Sequence, residues 1–519
     1  MKNAWRLVVY GALAVGLTWP LCRSPMDTVV GGARTDVYNA LWGYWLVAQG
    51  LSDGRFPIHT TLLDYPSGGR LLVADPLNAV LAAPVTLAGG AVLAYAAMVL
   101  LHLTVGGLLA DATGRALGGR GWIAGVAYVA SPIVLSHLQN GSSEAAAVAW
   151  LPLSTLLTVR ACAGGKKAAV AAGVGLALAA LGGGWYAGIG AFCFAGALAL
   201  FFPGGRRLWP ALLVGAACLL PVAWGYHHLA AADDSLVGLK TPESLERIRR
   251  TVGAADPRAF FMPGDFRSPD FSRLEQNASD LVHTTYLGFV LLALAAWKGR
   301  TPALWIALGA CLLLAMGPVL VVGGGPVPWH GRSLPLPYAL LEGLPGFVGL
   351  SLLYRIATLA PFALGLLGDR APGWMAGLVL IEALVVSPGR HLPDVSPAGE
   401  PAPLLALAAA PDGAVVSLPA SFARTRLFEQ TVHGHPLAAS LNSGVNRAGL
   451  ALLAELRKVA NKEVAWDSAV QVATESGTRY VIVHRAVPIE ATFQTSMRAL
   501  KENAVVLAED GEIRVFGMY

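Results

Sequence analysis

The feature that most constrains the fold is a series of apolar segments, each near the length of a membrane-spanning helix, separated by polar loops. A spanning helix needs about 20 mainly apolar residues. Only 13% of the 519 residues are charged, whereas soluble domains carry roughly 25%, so much of this chain must meet lipid. The predicted spans, about eleven in all, are 4–21, 91–110, 121–137, 145–161, 168–182, 186–202, 209–225, 284–297, 302–322, 351–368 and 373–388.

Basic residues between the spans predict the orientation. Short loops marked by Arg115, Arg206 and Lys298 all fall on the side of the N-terminus. The positive-inside rule makes that side cytoplasmic. The long polar segments 22–90 and 226–283 then lie outside the cytoplasm, and so does the C-terminus.

The pattern predicts a mainly α chain in two parts. Residues 1–390 are expected to form a polytopic transmembrane helical bundle, and residues 391–519 a small extracytoplasmic α/β domain. The tail is predicted to hold strands at 415–418, 480–483 and 505–507, a hairpin over 505–516, and helices at 447–460 and 487–501. An Ala-, Gly- and Arg-rich composition favours a bacterial source, hence a multi-pass protein of the inner (plasma) membrane.

Segment 31–75 gathers acidic and aromatic residues in the first outside loop. Asp36 precedes a helix-like run whose apolar face, marked by Tyr38, Trp42 and Trp45, favours a helix lying in the membrane interface. A carboxylate here can accept a proton from a substrate hydroxyl. The alternative is that Asp36 caps the helix. Asp75 ends the segment, where the chain returns to the membrane.

Glu144 lies at an outside turn between the third and fourth predicted spans, with His137 and Gln139 just before it. Ionisable residues near membrane depth are functional candidates. The alternative for Glu144 is a role in capping the following helix.

Two further outside connections carry candidates. Trp185 and Tyr186 follow three glycines, and they could stack on a sugar ring or anchor the chain at the interface. Arg355 opens the tenth predicted span. Its guanidinium could hold a lipid phosphate or extend towards lipid headgroups.

Other function classes lack their sequence signals. No Walker, Rossmann, HExxH or GxSxG motif is present, so ATP-driven transport is not indicated. The five cysteines include no CxxC, which argues against a zinc site. The net charge of +5 is spread through short loops and does not indicate a nucleic-acid partner.

Together these features resemble the polytopic glycosyltransferases of the GT-C fold, which use polyprenyl-phosphate-linked sugars. The resemblance lies in Asp36 after the first span, Glu144 in the sequence QNGSSEAAAVAWLPL, roughly a dozen spans and an outside C-terminal α/β region. Tyr65 in a Tyr-Pro-x-Gly sequence, the arginine-bearing segment 347–355 and the tail segment 430–437 are also similar to bacterial proteins of this kind.

The resemblance implies an inverting transfer of a sugar from a polyprenyl-phosphate donor to a glycan, lipid or protein acceptor outside the cytoplasm. Asp36 would be the base, Glu144 the second catalytic residue and Arg355 the phosphate ligand. The other implied substrate-binding residues are Tyr65, Asp75, His137, Gln139, Trp185 and Tyr186. The resemblance makes no cofactor certain and leaves a divalent cation, Mg²⁺ or Mn²⁺, open.

Two other functions stay open. A transporter or flippase for a lipid-linked sugar should carry ionisable residues deep in its spans and internal repeats. Here only His102 and Glu382 fall at predicted mid-depth, and no repeat is visible. A non-catalytic envelope assembly protein would instead bind a partner through its tail.

Overall fold

The computed structural model of this chain describes residues 4–32, 35–237, 241–265, 281–344, 346–386, 392–421, 423–441, 444–485 and 488–519. Part of the predicted loop 226–283 and the start of the predicted helix 487–501 lie outside these ranges.

Apolar helices build the part of the chain before residue 387. The α-helices there are Ala4–Leu17, Val37–Ser52, Pro76–Ala116, Trp122–Val129, Pro132–Gln139, Ser143–Ala146, Trp150–Ala163, Lys166–Gly182, Gly184–Phe201, Trp209–Ala230, Pro242–Arg249, Phe289–Lys298, Pro302–Ala315, Leu359–Gly368 and Met375–Val386. The 3₁₀ turns are Leu21–Arg23, Gly205–Leu208, Pro257–Phe260, Pro337–Leu340 and Leu353–Thr358. Every predicted span therefore contains helix.

Within the described ranges, four helices are apolar and long enough to cross a membrane: Pro76–Ala116, Trp122–Gln139, Gly184–Phe201 and Gly205–Ala230. The shorter apolar helices are Ala4–Leu17, Phe289–Lys298, Pro302–Ala315, Leu353–Gly368 and Met375–Val386. The number of segments that cross the membrane stays a prediction.

The longest helix is a hairpin of two arms that meet at Gly90. Gly90 has φ 84° and ψ 165°, a conformation that glycine tolerates and that ends the first arm. His102 Nε2 lies 3.1 Å from Asn78 Oδ1, although the two residues are 24 positions apart. The arms 76–89 and 91–116 must therefore fold back on each other, and the second arm contains the predicted span 91–110.

The helix Val37–Ser52 lies inside the protein. Tyr38 and Trp42, on its apolar face, are buried. This face packs against the hairpin and against the helix Ala423–His433. The expectation that it meets lipid at the membrane interface is wrong, because protein rather than lipid covers it.

The tail holds a four-stranded sheet with helices. The order is Val505–Glu509, Ile513–Gly517, Thr478–His484 and Ala414–Leu418, with only the last pair parallel. The predicted strands and hairpin coincide with these elements. The tail's α-helices are Ala402–Ala408, Ala423–His433, Arg447–Ala460, Trp466–Ser476 and Ala491–Asn503.

Short strand pairs complete the secondary structure. They are Thr28–Val30 with Val395–Pro397, His59–Thr60 with Gly69–Arg70, Val321–Val322 with Gly325–Pro326, and Pro328–Trp329 with Arg332–Ser333.

The tail and the first loop pack against each other. The strands Thr28–Val30 and Val395–Pro397 pair antiparallel. Trp42 Nε1 donates to Gln430 Oε1 at 2.7 Å, and the ring of Tyr38 stacks on Phe428 with 5.0 Å between centroids. A residue of the tail can therefore reach the start of the Val37–Ser52 helix, where Asp36 lies.

Candidate functional site

Glu144 and Arg355 form an ion pair. Arg355 Nη1 donates to Glu144 Oε1 at 2.8 Å, and Nη2 donates to Ser142 Oγ at 3.0 Å. Both side chains are largely shielded from water. Charge-assisted bonds of this kind fix the orientation of a guanidinium. Two residues selected separately from the sequence, 211 positions apart, thus meet at one point.

A narrow cavity opens beside this pair. Its water-accessible volume is about 20 Å³, room for about one water molecule, and its lining includes Tyr128, Glu144, Tyr186, Arg355 and Thr358. The lining combines carboxylate, guanidinium, hydroxyl and aromatic groups. Such a mixture of apolar walls and a few polar groups is typical of ligand sites.

Two predicted residues support this cavity. The Tyr186 hydroxyl accepts the backbone N–H groups of Ser351 and Leu352 at 3.2 and 3.0 Å, which holds the segment that leads into Arg355. His137 Nε2 lies 3.3 Å from Thr358 Oγ1, so this histidine lies behind the cavity wall.

The segment before Arg355 is also held by Arg249, which sequence reasoning missed. Arg249 is buried, and its guanidinium donates to the carbonyl oxygens of Leu350 at 2.6 Å, Phe347 at 2.8 Å and Val348. In the sequence this residue is one of several charges in segment 226–283, which is predicted to lie outside. No local pattern distinguishes it from its neighbours.

Asp36 occupies the N-cap position of its helix, yet its side chain makes no capping hydrogen bond. Instead, Asp36 Oδ1 lies 2.6 Å from Arg424 Nη2, with side-chain exposures of 32% and 42%. The alternative that Asp36 serves as a helix cap is therefore not observed. Arg424, the second residue missed from the sequence, brings a tail guanidinium to the first loop.

The Asp36 helix start is fitted tightly against the turn before Glu144. The backbone N–H of Asp36 donates to Asn140 O at 3.2 Å. Gly141 has φ +64°, and a Cβ atom there would lie 2.4 Å from the backbone nitrogen of Val37. Only glycine allows this approach, which joins the first loop to the Glu144 turn.

Asp75 is buried in a polar network. Asn78 Nδ2 donates to Asp75 Oδ1 at 2.6 Å, and Trp150 Nε1 donates to Asn78 Oδ1 at 2.9 Å. Asp75 Oδ2 has no hydrogen-bond partner within the described residues. Burial and then the charge of Glu144 raise the pKa of Asp75 to about 7. A carboxyl group near its pKa at neutral pH can hold or release a proton.

The three acids share one neighbourhood. Asn78, which donates to Asp75, also donates to Gly182 O at 2.8 Å, and the adjoining Gly183 lines the cavity of Glu144. The backbone N–H of Asp36 reaches the turn before Glu144 at Asn140 O. We call the group formed by Asp36, Asp75, Glu144 and Arg355 the acid site.

Three predicted residues lie apart from the cavity. Tyr65 contacts the tail, since its backbone N–H donates to Leu437 O at 3.1 Å and its carbonyl accepts from Asn446 at 2.8 Å. Trp185 packs in an apolar cluster between neighbouring helices. Gln139 donates to Asp394 Oδ2 at 2.8 Å. Their roles in substrate binding stay predictions.

The acid site does not fit a metal ion held by protein side chains alone. Among the described residues, no group of three or more His, Cys, Asp or Glu side chains is placed to hold one. Arg424 pairs with one oxygen of Asp36, and Arg355 pairs with one oxygen of Glu144.

Neither a protein-family model nor a curated protein sequence matches this chain. Solved structures do match. The arabinofuranosyltransferase AftD from Mycobacteria aligns with a TM-score of 0.55 at 17% identity, over 100% of this chain and 40% of AftD. The chain thus spans about two fifths of that protein.

Two other solved structures are similar at lower scores. ArnT from Cupriavidus metallidurans, bound to undecaprenyl phosphate, gives 0.47 at 11% identity over 100% of this chain and 99% of ArnT. The Archaeoglobus fulgidus oligosaccharyltransferase gives 0.47 at 15% identity over 92% of this chain and 68% of that enzyme. The structural similarity to AftD shows that this chain has the GT-C fold.

Proposed function

We propose that this chain is an integral membrane glycosyltransferase that moves a sugar from a polyprenyl-phosphate donor to an extracytoplasmic acceptor. The observation that carries the proposal is the acid site, in which separate connections, all predicted to lie outside, bring three carboxylates and a guanidinium together on a GT-C fold. The fold shared with the arabinofuranosyltransferase AftD supports sugar transfer as the reaction class.

Asp36 is proposed as the base. Its Oδ1 forms an ion pair with Arg424 Nη2 at 2.6 Å. Oδ2 would accept the proton as the acceptor oxygen attacks the anomeric carbon. The bond between that carbon and the phosphate oxygen breaks, its electron pair leaves with polyprenyl phosphate, and in-line attack inverts the anomeric centre.

Arg355 is proposed to bind the departing phosphate. Its guanidinium is already oriented by Glu144 and Ser142, so little reorganisation is needed as negative charge develops. Glu144 then acts mainly through Arg355, and also positions the acceptor. Asp75, neutral or charged near pH 7, would bind a hydroxyl of the sugar or acceptor.

A deletion strain tests the reaction class. Its envelope glycans are profiled after complementation with wild type, Asp36→Asn or Asp53→Asn. Asp53 lies in the same loop and makes only an exposed pair with Arg55 at 3.6 Å, so it is a matched control.

We expect the envelope glycans of the deletion strain to lack one sugar. Complementation with wild type or Asp53→Asn should restore this sugar, and complementation with Asp36→Asn should not. Rescue by Asp36→Asn at equal membrane abundance would exclude Asp36 as the base. Loss of the sugar together with a lipid-linked precursor that stays on the cytoplasmic side of the membrane would favour the transporter instead.

A further inference from the structure

A second, larger cavity lies away from the acid site. It is open, has a volume of about 690 Å³, and is lined by Trp5, Arg6, Arg115, Arg120, Trp122 and Trp374, among others. His102 lies level with Asn78 beside the acid site, and Arg115 follows thirteen residues later on the same helix. At about 1.5 Å per residue, this places the cavity roughly 20 Å from the acid site, measured along the bundle.

The cavity is lined by more arginines than Asp111, the acid beside it, can neutralise. Asp111 Oδ1 accepts from Arg115 Nε at 2.7 Å, and Asp111 Oδ2 accepts from Arg6. The Arg6 guanidinium also lies over the Trp122 ring, 4.5 Å from its centroid. Arg120 is exposed, and no ion pair joins it to any described residue. One positive charge therefore faces the cavity without a carboxylate.

Asp369 lies behind the cavity but does not neutralise Arg120. Its oxygens accept backbone N–H groups of Ile123 at 3.1 Å, Ala124 at 3.3 Å and Gly121 at 2.5 Å. The carboxylate is thus used to cap the helix Trp122–Val129, where the N-terminal end of the helix dipole favours a negative charge.

Two helices with exposed apolar side chains lead away from the rim of the cavity, Ala4–Leu17 from Trp5 and Met375–Val386 from Trp374. Val8 on the first helix is 69% exposed, Ile381 on the second is 59% exposed, and Trp374 at the rim is 67% exposed. Tryptophan is enriched where a membrane protein meets the headgroup region. A ligand with a negative head and long apolar chains matches both the charge of the cavity and its apolar surroundings.

We infer that this cavity binds the phosphate headgroup of an anionic phospholipid, with the acyl chains along the helices Ala4–Leu17 and Met375–Val386. Arg120 contacts the phosphate, and the tryptophans lie at headgroup level. A soluble phosphate would explain the arginines but not the exposed apolar side chains of these two helices. The inference does not depend on the proposed function, since the cavity shares no residue with the acid site.

Native mass spectrometry of the full chain in detergent tests the inference. Phosphatidylglycerol and phosphatidylcholine are titrated against wild type, Arg120→Gln and the control Arg300→Gln. Arg300 follows the helix Phe289–Lys298 and does not line the cavity. We expect wild type to prefer phosphatidylglycerol, and Arg120→Gln to bind it about fivefold more weakly, from roughly 1 kcal/mol per basic residue.

A competition arm separates lipid from free phosphate. Inorganic phosphate at high excess should leave bound phosphatidylglycerol in place. The inference is overturned if inorganic phosphate displaces the lipid, if phosphatidylcholine binds equally well, or if Arg300→Gln weakens binding as much as Arg120→Gln. Because the Arg120 side chain forms no ion pair with any residue that the structure describes, its substitution should not unfold the chain.

Discussion

The acid site and the region of Asp111 both place carboxylates beside arginines, but they differ in how fully the oxygens are used. At Asp111, Oδ1 accepts from Arg115, and Oδ2 accepts from Arg6 and from Tyr10 at 3.3 Å. At the acid site, Asp75 Oδ2 lacks a hydrogen-bond partner within the described residues. A fully bonded carboxylate stabilises the fold, whereas one with a remaining oxygen can accept a proton or a ligand.

The largest expected effect is on stability at the fully bonded carboxylate. Asp111→Asn should lower the free energy of unfolding by about 3 kcal/mol, because Arg6, largely buried, would lose the one carboxylate that pairs with it among the described residues. Chemical unfolding in detergent measures this value. The exposed control Asp53→Asn should change it by well under 1 kcal/mol, and equal losses in both variants would contradict the comparison.

Glu144→Gln should have the next largest effect, and on transfer rather than on folding. We expect turnover to fall about 100-fold, because Arg355 loses the partner that orients it towards the phosphate. Turnover is measured as release of polyprenyl phosphate. Glu243→Gln, at an exposed position of the helix Pro242–Arg249, is the control, and a wild-type rate for Glu144→Gln would remove Glu144 from the site.

Arg424→Ala should reduce turnover about tenfold with little change in stability. The Asp36–Arg424 pair is partly exposed, so it contributes little to folding, but its loss frees the Asp36 carboxylate to move. Arg424→Lys should recover part of the rate. Arg447→Ala, elsewhere in the tail, should be neutral; a similar loss there would mean that the effect is general to the tail.

The smallest effect concerns the pH dependence of stability. The folded-state pKa of Asp75 is about 7, above the 3.8 of a free aspartate. Between these values only the folded state holds the proton, so the free energy of unfolding falls as pH rises through this window and levels off above 7.

From pH 6 to pH 8 this carboxyl should remove on the order of 1 kcal/mol of stability. Asp75→Asn keeps an amide in place of the neutral acid and should flatten that part of the profile. Thermal unfolding across the range measures the difference. An identical slope in the variant would mean that Asp75 does not titrate there.

The sequence predicted the helical bundle well because spans follow from apolar length alone, and it predicted the tail strands from short β-branched runs. It also identified Glu144 and Arg355 one by one. Their pairing could not be predicted from the sequence, since a contact between residues 211 positions apart leaves no local pattern. Arg249 and Arg424 were missed for the same reason: each acts on a distant segment. The helix Val37–Ser52 was wrongly predicted to lie at the membrane interface, because either lipid or protein can cover an apolar helix face.

The central claim is that the acid site carries out transfer, while Asp111 only stabilises the bundle. The most direct test compares transfer per folded molecule for purified Asp36→Asn and Asp111→Asn, with wild type beside them. We predict that Asp36→Asn is as stable as wild type and loses transfer by about 10²- to 10⁴-fold. Asp111→Asn should be less stable and fully active per folded molecule. Wild-type transfer by Asp36→Asn, with transfer abolished in folded Asp111→Asn, would contradict the account.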